Sequence, residues 1–342
     1  MSAKEGKVYS ATSDLAFFKK NGYFKIPKYL QVEITDFCPL NCPQCYKADT
    51  QAMFMDEERF SDIVGQVQEL GSEHIFYNGG EPLCHPKFVS FLHITAEKGL
   101  AHTVFTSGYG INEDFIFHAR VTGLNINLSL NGSNKVINEF SRDGFEVAIR
   151  AATLLKMSKY PFQINWVARS DNVRDLPNLI SLGKKIGASA INVVCNKMTS
   201  HGEIISPLTE SDYSFLVEII RKYQDYIMVQ NCYGLLLSLL GSPCNKLYGC
   251  QAGIRVMAIT CDGDFMPCTH LHYPESFHNL LTYWENSRYL AEIRQNVNMK
   301  YCDTCNFCRF CHSMSKESHD DLQVGFEMCP IREKYRSGGI WI

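Results

Sequence analysis

Thr35-Asp36-Phe37-Cys38-Pro39-Leu40-Asn41-Cys42-Pro43-Gln44-Cys45-Tyr46 runs out of an apolar, strand-like segment at residues 29–35. Its cysteines are spaced C-x3-C-x2-C. A cubane iron–sulfur cluster normally takes four thiolates. Three close cysteines with no fourth nearby leave one iron open, and an open coordination position is where a metal centre does chemistry. The alternatives are a zinc site or scattered structural thiols. Structural zinc asks for four ligands, and no His or Cys completes a set locally.

Outward from this stretch, strands and helices alternate. Residues 55–70 read as a helix opened by Asp56 and Glu57 and followed by Gly71. Residues 74–77 form a short strand that runs into Asn78-Gly79-Gly80-Glu81-Pro82. A helix at 86–98 stops at Gly99, and a strand at 102–105 ends in Thr106-Ser107-Gly108. Helix 112–120, strand 124–130, helix 143–157, strand 162–168, helix 174–186 and strand 190–194 continue the pattern. Such alternation predicts a parallel sheet with right-handed crossovers, which binds ligands at the C-terminal ends of its strands. Both the cysteine stretch and Gly79-Gly80-Glu81-Pro82 follow strand ends. Residues 209–240 read as helical, and residues 1–29 as a mixed segment anchored by Phe17, Phe18, Tyr23 and Phe24.

Composition narrows the function classes. The chain has 342 residues, net charge −3, 45% hydrophobic and 20% charged residues. That suits one large α/β domain with a small second one and does not mark a general nucleic-acid binder. No apolar run approaches bilayer length. The first residues lack the apolar core of a signal peptide, so a cytoplasmic protein is expected. Of 15 cysteines, three lie at 38–45 and nine crowd into 244–329. A disulfide framework belongs to small secreted chains, so this distribution points to metal at two separate places.

The C-x3-C-x2-C spacing with Gly79-Gly80-Glu81-Pro82 resembles the radical SAM superfamily. That resemblance implies an open (β/α)6 partial barrel, TIM-like, in which Cys38, Cys42 and Cys45 hold a [4Fe–4S] cluster. S-adenosylmethionine would chelate the open iron, and its reductive cleavage would yield methionine and a 5′-deoxyadenosyl radical. The cofactor carries that chemistry and the protein positions it. By the same resemblance Gly79, Gly80 and Glu81 hold the cofactor's ammonium group; the glycines permit close backbone approach. Ser107, Ser129, Asn131 and Arg169 are further strand-end candidates for the cofactor. Asn131 stands where relatives often carry an acid, and Arg169 can fork a carboxylate. Relatives commonly place an aromatic residue before the third cysteine; here Gln44 takes that place and Tyr46 follows, so the residue against the adenine stays open. The resemblance also implies an electron donor of flavodoxin or ferredoxin type.

The later cysteine field begins at Cys244 and Cys250, and residues 250–268 read as a hairpin about a D-G turn, ending at Cys268. Cys302, Cys305, Cys308 and Cys311 follow at C-x2-C intervals, then Cys329. Hairpin, helix and cysteines in this order resemble the SPASM extension, which holds two auxiliary [4Fe–4S] clusters. Carried over residue by residue, Cys244, Cys250, Cys268 and Cys311 bind one, and Cys302, Cys305, Cys308 and Cys329 the other. The spacing departs from the family's C-x2-C-x5-C-x3-C, so the division of ligands stays open, and zinc is the alternative for paired C-x2-C units. Cys84, Cys195, Cys232 and Cys261 are expected as core thiols. Thr269 stands where sulfatase-maturing relatives carry an Asp base; His270 and His272 could instead act on protons.

The expected domains are an N-terminal segment at 1–29, a radical SAM partial barrel at 30–241 and a small cysteine-rich iron–sulfur extension at 242–342. The expected function is radical hydrogen abstraction from a peptide or protein substrate, giving oxidation or a crosslink. The roughly 30 residues before the first strand are too few for the leader-recognition domain many peptide-modifying relatives carry. The alternatives are a small alcohol or sugar dehydrogenase of the same class, and a non-catalytic iron–sulfur protein for electron transfer or redox sensing. The second gains nothing from an aminosulfonium-binding stretch at Gly79-Gly80-Glu81.

Overall fold

The structure, a computed structural model, describes residues 11–47, 52–241, 249–295, 311–320 and 322. The chain order is α1 (Ala11–Asn21), β1 (Tyr29–Thr35), α2 (Glu57–Leu70), β2 (His74–Gly79), α3 (Phe88–Glu97), β3 (Ala101–Thr106), α4 (Glu113–Thr122) and β4 (Asn125–Ser129). Then come α5 (Lys135–Glu139), α6 (Phe145–Met157), β5 (Phe162–Ala168), α7 (Leu176–Ile186), β6 (Ala190–Cys195), α8 (Glu210–Lys222), β7 (Ile227–Val229) and α9 (Gly234–Leu239). The remainder is β8 (Val256–Ile259), β9 (Phe265–Met266), α10 (Leu280–Asn286), α11 (Arg288–Gln295) and α12 (Lys316–Asp320).

One open sheet runs β7-β6-β5-β4-β3-β2-β1-β8-β9. Neighbours from β7 to β8 are parallel, and only β9 is antiparallel, to β8. The first six strands stand in chain order, as successive βα units of a barrel do, so the expected partial (β/α)6 barrel is present. Leu30, Val32 and Ile34 of β1 turn one face into the core against Phe60, Ile63 and Val64 of α2. Phe60 stacks on Phe91 of α3 with ring centroids 4.0 Å apart. Each such fully buried side chain stabilises by about 1.5–3 kcal/mol. Local signals set the helix ends: the Asp56 side chain accepts from Arg59 N, and Gly71 caps α2 at φ 77°.

Three differences from the sequence reading bear on the site. The segment 209–240 is not uniformly helical: Ile227–Val229 pairs with β6 as a seventh parallel strand, too short for a periodicity to announce it. Helix 143–157 is preceded by the short α5, and the turn between α5 and α6 reaches back to the cysteine loop. The expected hairpin exists as β8 and β9 with Gly263 in its turn at φ 97°. It pairs in parallel with β1, so the sheet runs on past the proposed boundary at 241/242.

No helix of the described residues is long and apolar enough to cross a membrane.

Candidate active site

Parallel pairing brings the chain segments after β1 to β6 to one edge of the sheet. The cysteine loop leaves β1 through a register shift between Glu33 and Thr35. The glycine stretch after β2 then clamps the loop from beneath: Gly80 N donates to Thr35 O at 2.8 Å and Glu81 N to Phe37 O at 2.7 Å. A Cβ on Gly80 would stand 2.1 Å from Phe37 O, and one on Gly79 2.0 Å from Thr35 O. Close approach of two backbones is therefore what the glycines provide.

The loop's outer side is held by the α5–α6 turn. Gln44 N donates to Ser141 O at 3.1 Å, and Asn41 N to the Asp143 carboxylate at 3.0 Å. Cys38 and Cys42 are half-buried, Cys45 is exposed, and all three are free thiols. Burial pushes the Cys38 thiol up to about 12, with Glu81, Cys42 and Cys45 adding to the rise. Burial also raises Cys42, against the neighbouring Arg142 guanidinium. Arg142 Nε is buried without a hydrogen-bond partner. An unpaired donor beside a thiol suits a sulfide-rich anionic group, whose sulfurs accept hydrogen bonds. Among the described residues no three His, Cys, Asp or Glu side chains close around a single metal ion.

Glu81 is 1% exposed. Its carboxylate accepts from Thr106 Oγ1 at 2.6 Å, Ser107 N at 2.7 Å, Ser107 Oγ at 2.5 Å and Leu83 N at 3.3 Å. Burial raises its pKa, and these donors oppose the rise. The side chain thus ties the end of β3 to the glycine stretch. Glu81→Ala leaves the fixed Ser107 amide and two hydroxyls without their acceptor, and we expect a loss of about 3 kcal/mol in urea unfolding. Glu81→Gln, which keeps one acceptor oxygen, should lose less.

Asn131 and Arg169 are fully buried and converge on the cysteine loop. Asn131 Nδ2 and Arg169 Nη1 each donate to Gln44 Oε1 at 2.8 Å. The rest of the Arg169 fork is taken by Asp171, at 2.8 and 2.6 Å. The two therefore hold the Gln44 side chain of the cysteine loop. Gln44 itself was legible only as a departure from the family's aromatic residue. Ser107 and Ser129 are buried at their strand ends.

Tyr46 turns toward the extension. Its ring lies 4.3 Å from that of His270, and its hydroxyl donates to Glu33 Oε1 at 3.3 Å. Glu33, buried on β1, pairs with Lys47 at 2.6 Å. Thr269 is buried, and its amide and hydroxyl both donate to Gln31 Oε1. His270 Nδ1 is 3.2 Å from Thr269 Oγ1 and 3.4 Å from Lys197 Nζ. Burial first, then Lys197, holds the His270 pKa well below the usual imidazole value. Glu33, Lys47 and Lys197 escaped the sequence reading, because a charged residue within a strand–loop alternation carries no spacing signal.

Of the later cysteines, Cys250 and Cys268 pack in one small cluster with Ala252, Leu271, Ile293 and Leu322, and Cys311 is buried. Cys244, Cys302, Cys305, Cys308 and Cys329 lie outside the described residues. The expectation of four core thiols needs correction. Only Cys195 is buried, while Cys84, Cys232 and Cys261 are half-buried. Cys195 Sγ is 4.0 Å from Cys232 Sγ and also hydrogen-bonds Cys311. The ends of β6 and β7 thus deliver two thiols to the extension, a meeting no linear spacing shows.

Residues 32–182 match the family model described as the radical SAM superfamily. The match takes in the cysteine loop, the glycine stretch and strands β2 to β5. The AdoMet-dependent heme synthase of Methanosarcina barkeri (strain Fusaro / DSM 804) is 22% identical over 317 residues, 83% of this chain and 90% of that protein. The PqqA peptide cyclase of Gluconobacter oxydans (strain 621H) is 27% identical over 176 residues, 49% of this chain and 49% of that protein. Among solved structures, Streptococcus suis SuiB bound to precursor peptide SuiA superposes with a TM-score of 0.76 at 18% identity, covering 94% of this chain and 80% of that one.

Proposed function

We propose that this radical SAM enzyme removes hydrogen from a peptide or protein side chain, leaving it oxidised or crosslinked. The observation that carries the reading is the convergence at one sheet edge of the cysteine loop, the Gly79–Glu81 clamp and a polar group in which Tyr46 and Lys197 of the barrel meet His270 of the extension. The peptide class is supported by the relatives named for peptides, PqqA peptide cyclase and SuiB with its precursor peptide.

In this reading Cys38, Cys42 and Cys45 hold the cluster that opens the cofactor to radical cleavage. Gly79 and Gly80 set the loop against β2, Glu81 fixes Ser107 and Thr106, and Gln44, held by Asn131 and Arg169, orients the segment before Cys45. Ser107, Ser129 and Tyr46 remain the candidates for direct cofactor contact. Residues 30–241 supply the barrel and 242–342 the extension, where Cys250, Cys268 and Cys311 would hold one auxiliary cluster together with Cys244. Cys302, Cys305, Cys308 and Cys329 would hold a second. The single-electron donor is of flavodoxin or ferredoxin type, and the protein works in the cytoplasm.

A small-molecule substrate is the second reading. It is favoured by the heme synthase match, which spans 83% of this chain where the peptide cyclase spans 49%. The test follows deuterium from labelled residues of candidate peptides, encoded beside this gene, into 5′-deoxyadenosine. We expect label transfer together with loss of two hydrogens from one peptide residue. Transfer from a small alcohol, sugar or tetrapyrrole instead, and from no peptide, would overturn the peptide class.

A further inference from the structure

The N-terminal ends of β4, β5 and β6 enclose a cavity of about 300 Å³, lined by Leu124, Pro161 and Ser189, the residues just before these strands. The cysteine loop follows the opposite end of the sheet. Strand β4 alone, from Asn125 to Ser129, separates the two ends by about 13 Å at about 3.3 Å per residue. Ile126 and Leu128 of β4 pack in the core, so alternation places Asn125 and Asn127 on the other face. With Gln163 of β5 they add three carboxamides to the lining, and among the described residues no charged side chain lines the cavity. Several donors here are already engaged. Asn125 Nδ2 donates to His102 O at 3.1 Å, Gln163 Nε2 to Met228 Sδ at 3.6 Å and Ser189 Oγ to Phe162 O at 2.9 Å. Asn127 is 9% exposed, and its Oδ1 is buried with no hydrogen-bond partner among the described residues.

A buried acceptor left unpaired is destabilising, and the great majority of buried polar groups in folded proteins have a partner. Here the unpaired oxygen belongs to the lining of a cavity at the lower end of the size range of small-molecule sites. We propose that this cavity binds an uncharged small molecule, which brings N–H or O–H donors to Asn127 Oδ1 and the neighbouring acceptor oxygens, at a site separate from the cysteine loop. The lining sets the charge class: an ion held there would lose water and gain no counter-charge. The engaged donors of Asn125, Gln163 and Ser189 set the polarity, because they leave acceptor oxygens toward the ligand. Leu124 and Pro161 give a ring or carbon skeleton an apolar surface to pack on. Amides and sugar hydroxyls share this chemistry. The site stands apart from the choice of substrate at the cysteine loop.

The test uses the full chain, reconstituted anaerobically, with S-adenosylmethionine present in excess. Saturation-transfer NMR compares benzamide, benzoate and benzamidine, which carry a neutral, an anionic and a cationic head on the same ring. Methyl glucoside tests the hydroxyl source. Benzamide or methyl glucoside should bind, benzoate should not, and benzamidine should bind no better than benzamide. Binding by one neutral probe and not the other supports the site and tells an amide ligand from a sugar. Asn127→Leu, close to Asn in size, should weaken the neutral probe about tenfold or more, the scale of one hydrogen bond to a buried acceptor. Gln163→Leu, at a half-buried position, should weaken it as well, and it decides the matter if Asn127→Leu does not fold. No binding by either neutral probe, a preference for benzoate or benzamidine, or parent-like binding by the folded variants would overturn the proposal.

Discussion

Gly80→Ala should abolish both the native fold around the cysteine loop and the cleavage of S-adenosylmethionine. The new Cβ would meet Phe37 O at 2.1 Å, Phe37 C at 2.4 Å and Asp36 O at 2.6 Å. All three are backbone atoms, so no rotamer change relieves the clash. The same backbones are joined by Gly80 N to Thr35 O and Glu81 N to Phe37 O, and separating them breaks both bonds. Overpacking in a tight core usually costs about 1–3 kcal/mol, but a clash this close with fixed backbone atoms belongs to the exceptional range above about 4 kcal/mol. Urea unfolding measures the loss, and anaerobic 5′-deoxyadenosine formation measures its effect on function. Gly65→Ala is the control: nothing lies within 4 Å of a Cβ there, so that variant should match or slightly exceed the parent in stability through the better helix propensity of Ala.

The barrel was legible because each of its strands is an apolar run followed by a helix with a readable stop. The first strand and the fifth, Tyr29–Thr35 and Phe162–Ala168, fall where the sequence places them. Helix α2 ends at Gly71, as its left-handed cap demands. Strand β7 was not legible: three residues give no period, and its pairing with β6 is decided by tertiary contact. The site divides in the same way. Cysteine spacing is local and survives in the sequence, so Cys38, Cys42 and Cys45 could be named. Glu81 could be named too, but not its burial against Thr106 and Ser107, which lie 25 and 26 residues away. Arg169 and Asn131 were found as strand-end polar residues, whereas their common acceptor Gln44 depends on loop geometry, with separations of 125 and 87 residues. Cys195 and Cys232 looked like packing thiols because their neighbour Cys311 arrives from far along the chain.

The central claim is that the loop at Cys38, Cys42 and Cys45 holds a cluster able to cleave S-adenosylmethionine. Cys42 is the most informative position: it is half-buried, beside the unpaired Arg142 Nε, and clear of the Glu81 network. Cys42→Ala removes one thiolate, and three protein ligands are all the loop has, so the effect on turnover should be complete, while a single half-buried thiol contributes little to the fold. The direct measurement is 5′-deoxyadenosine released under anaerobic reduction by the reconstituted parent and by Cys42→Ala, each with its iron counted. The account predicts turnover by the parent, none by the variant, and about four fewer irons per chain in the variant. Equal turnover and equal iron in the two proteins, or zinc in place of iron in the parent, would contradict it.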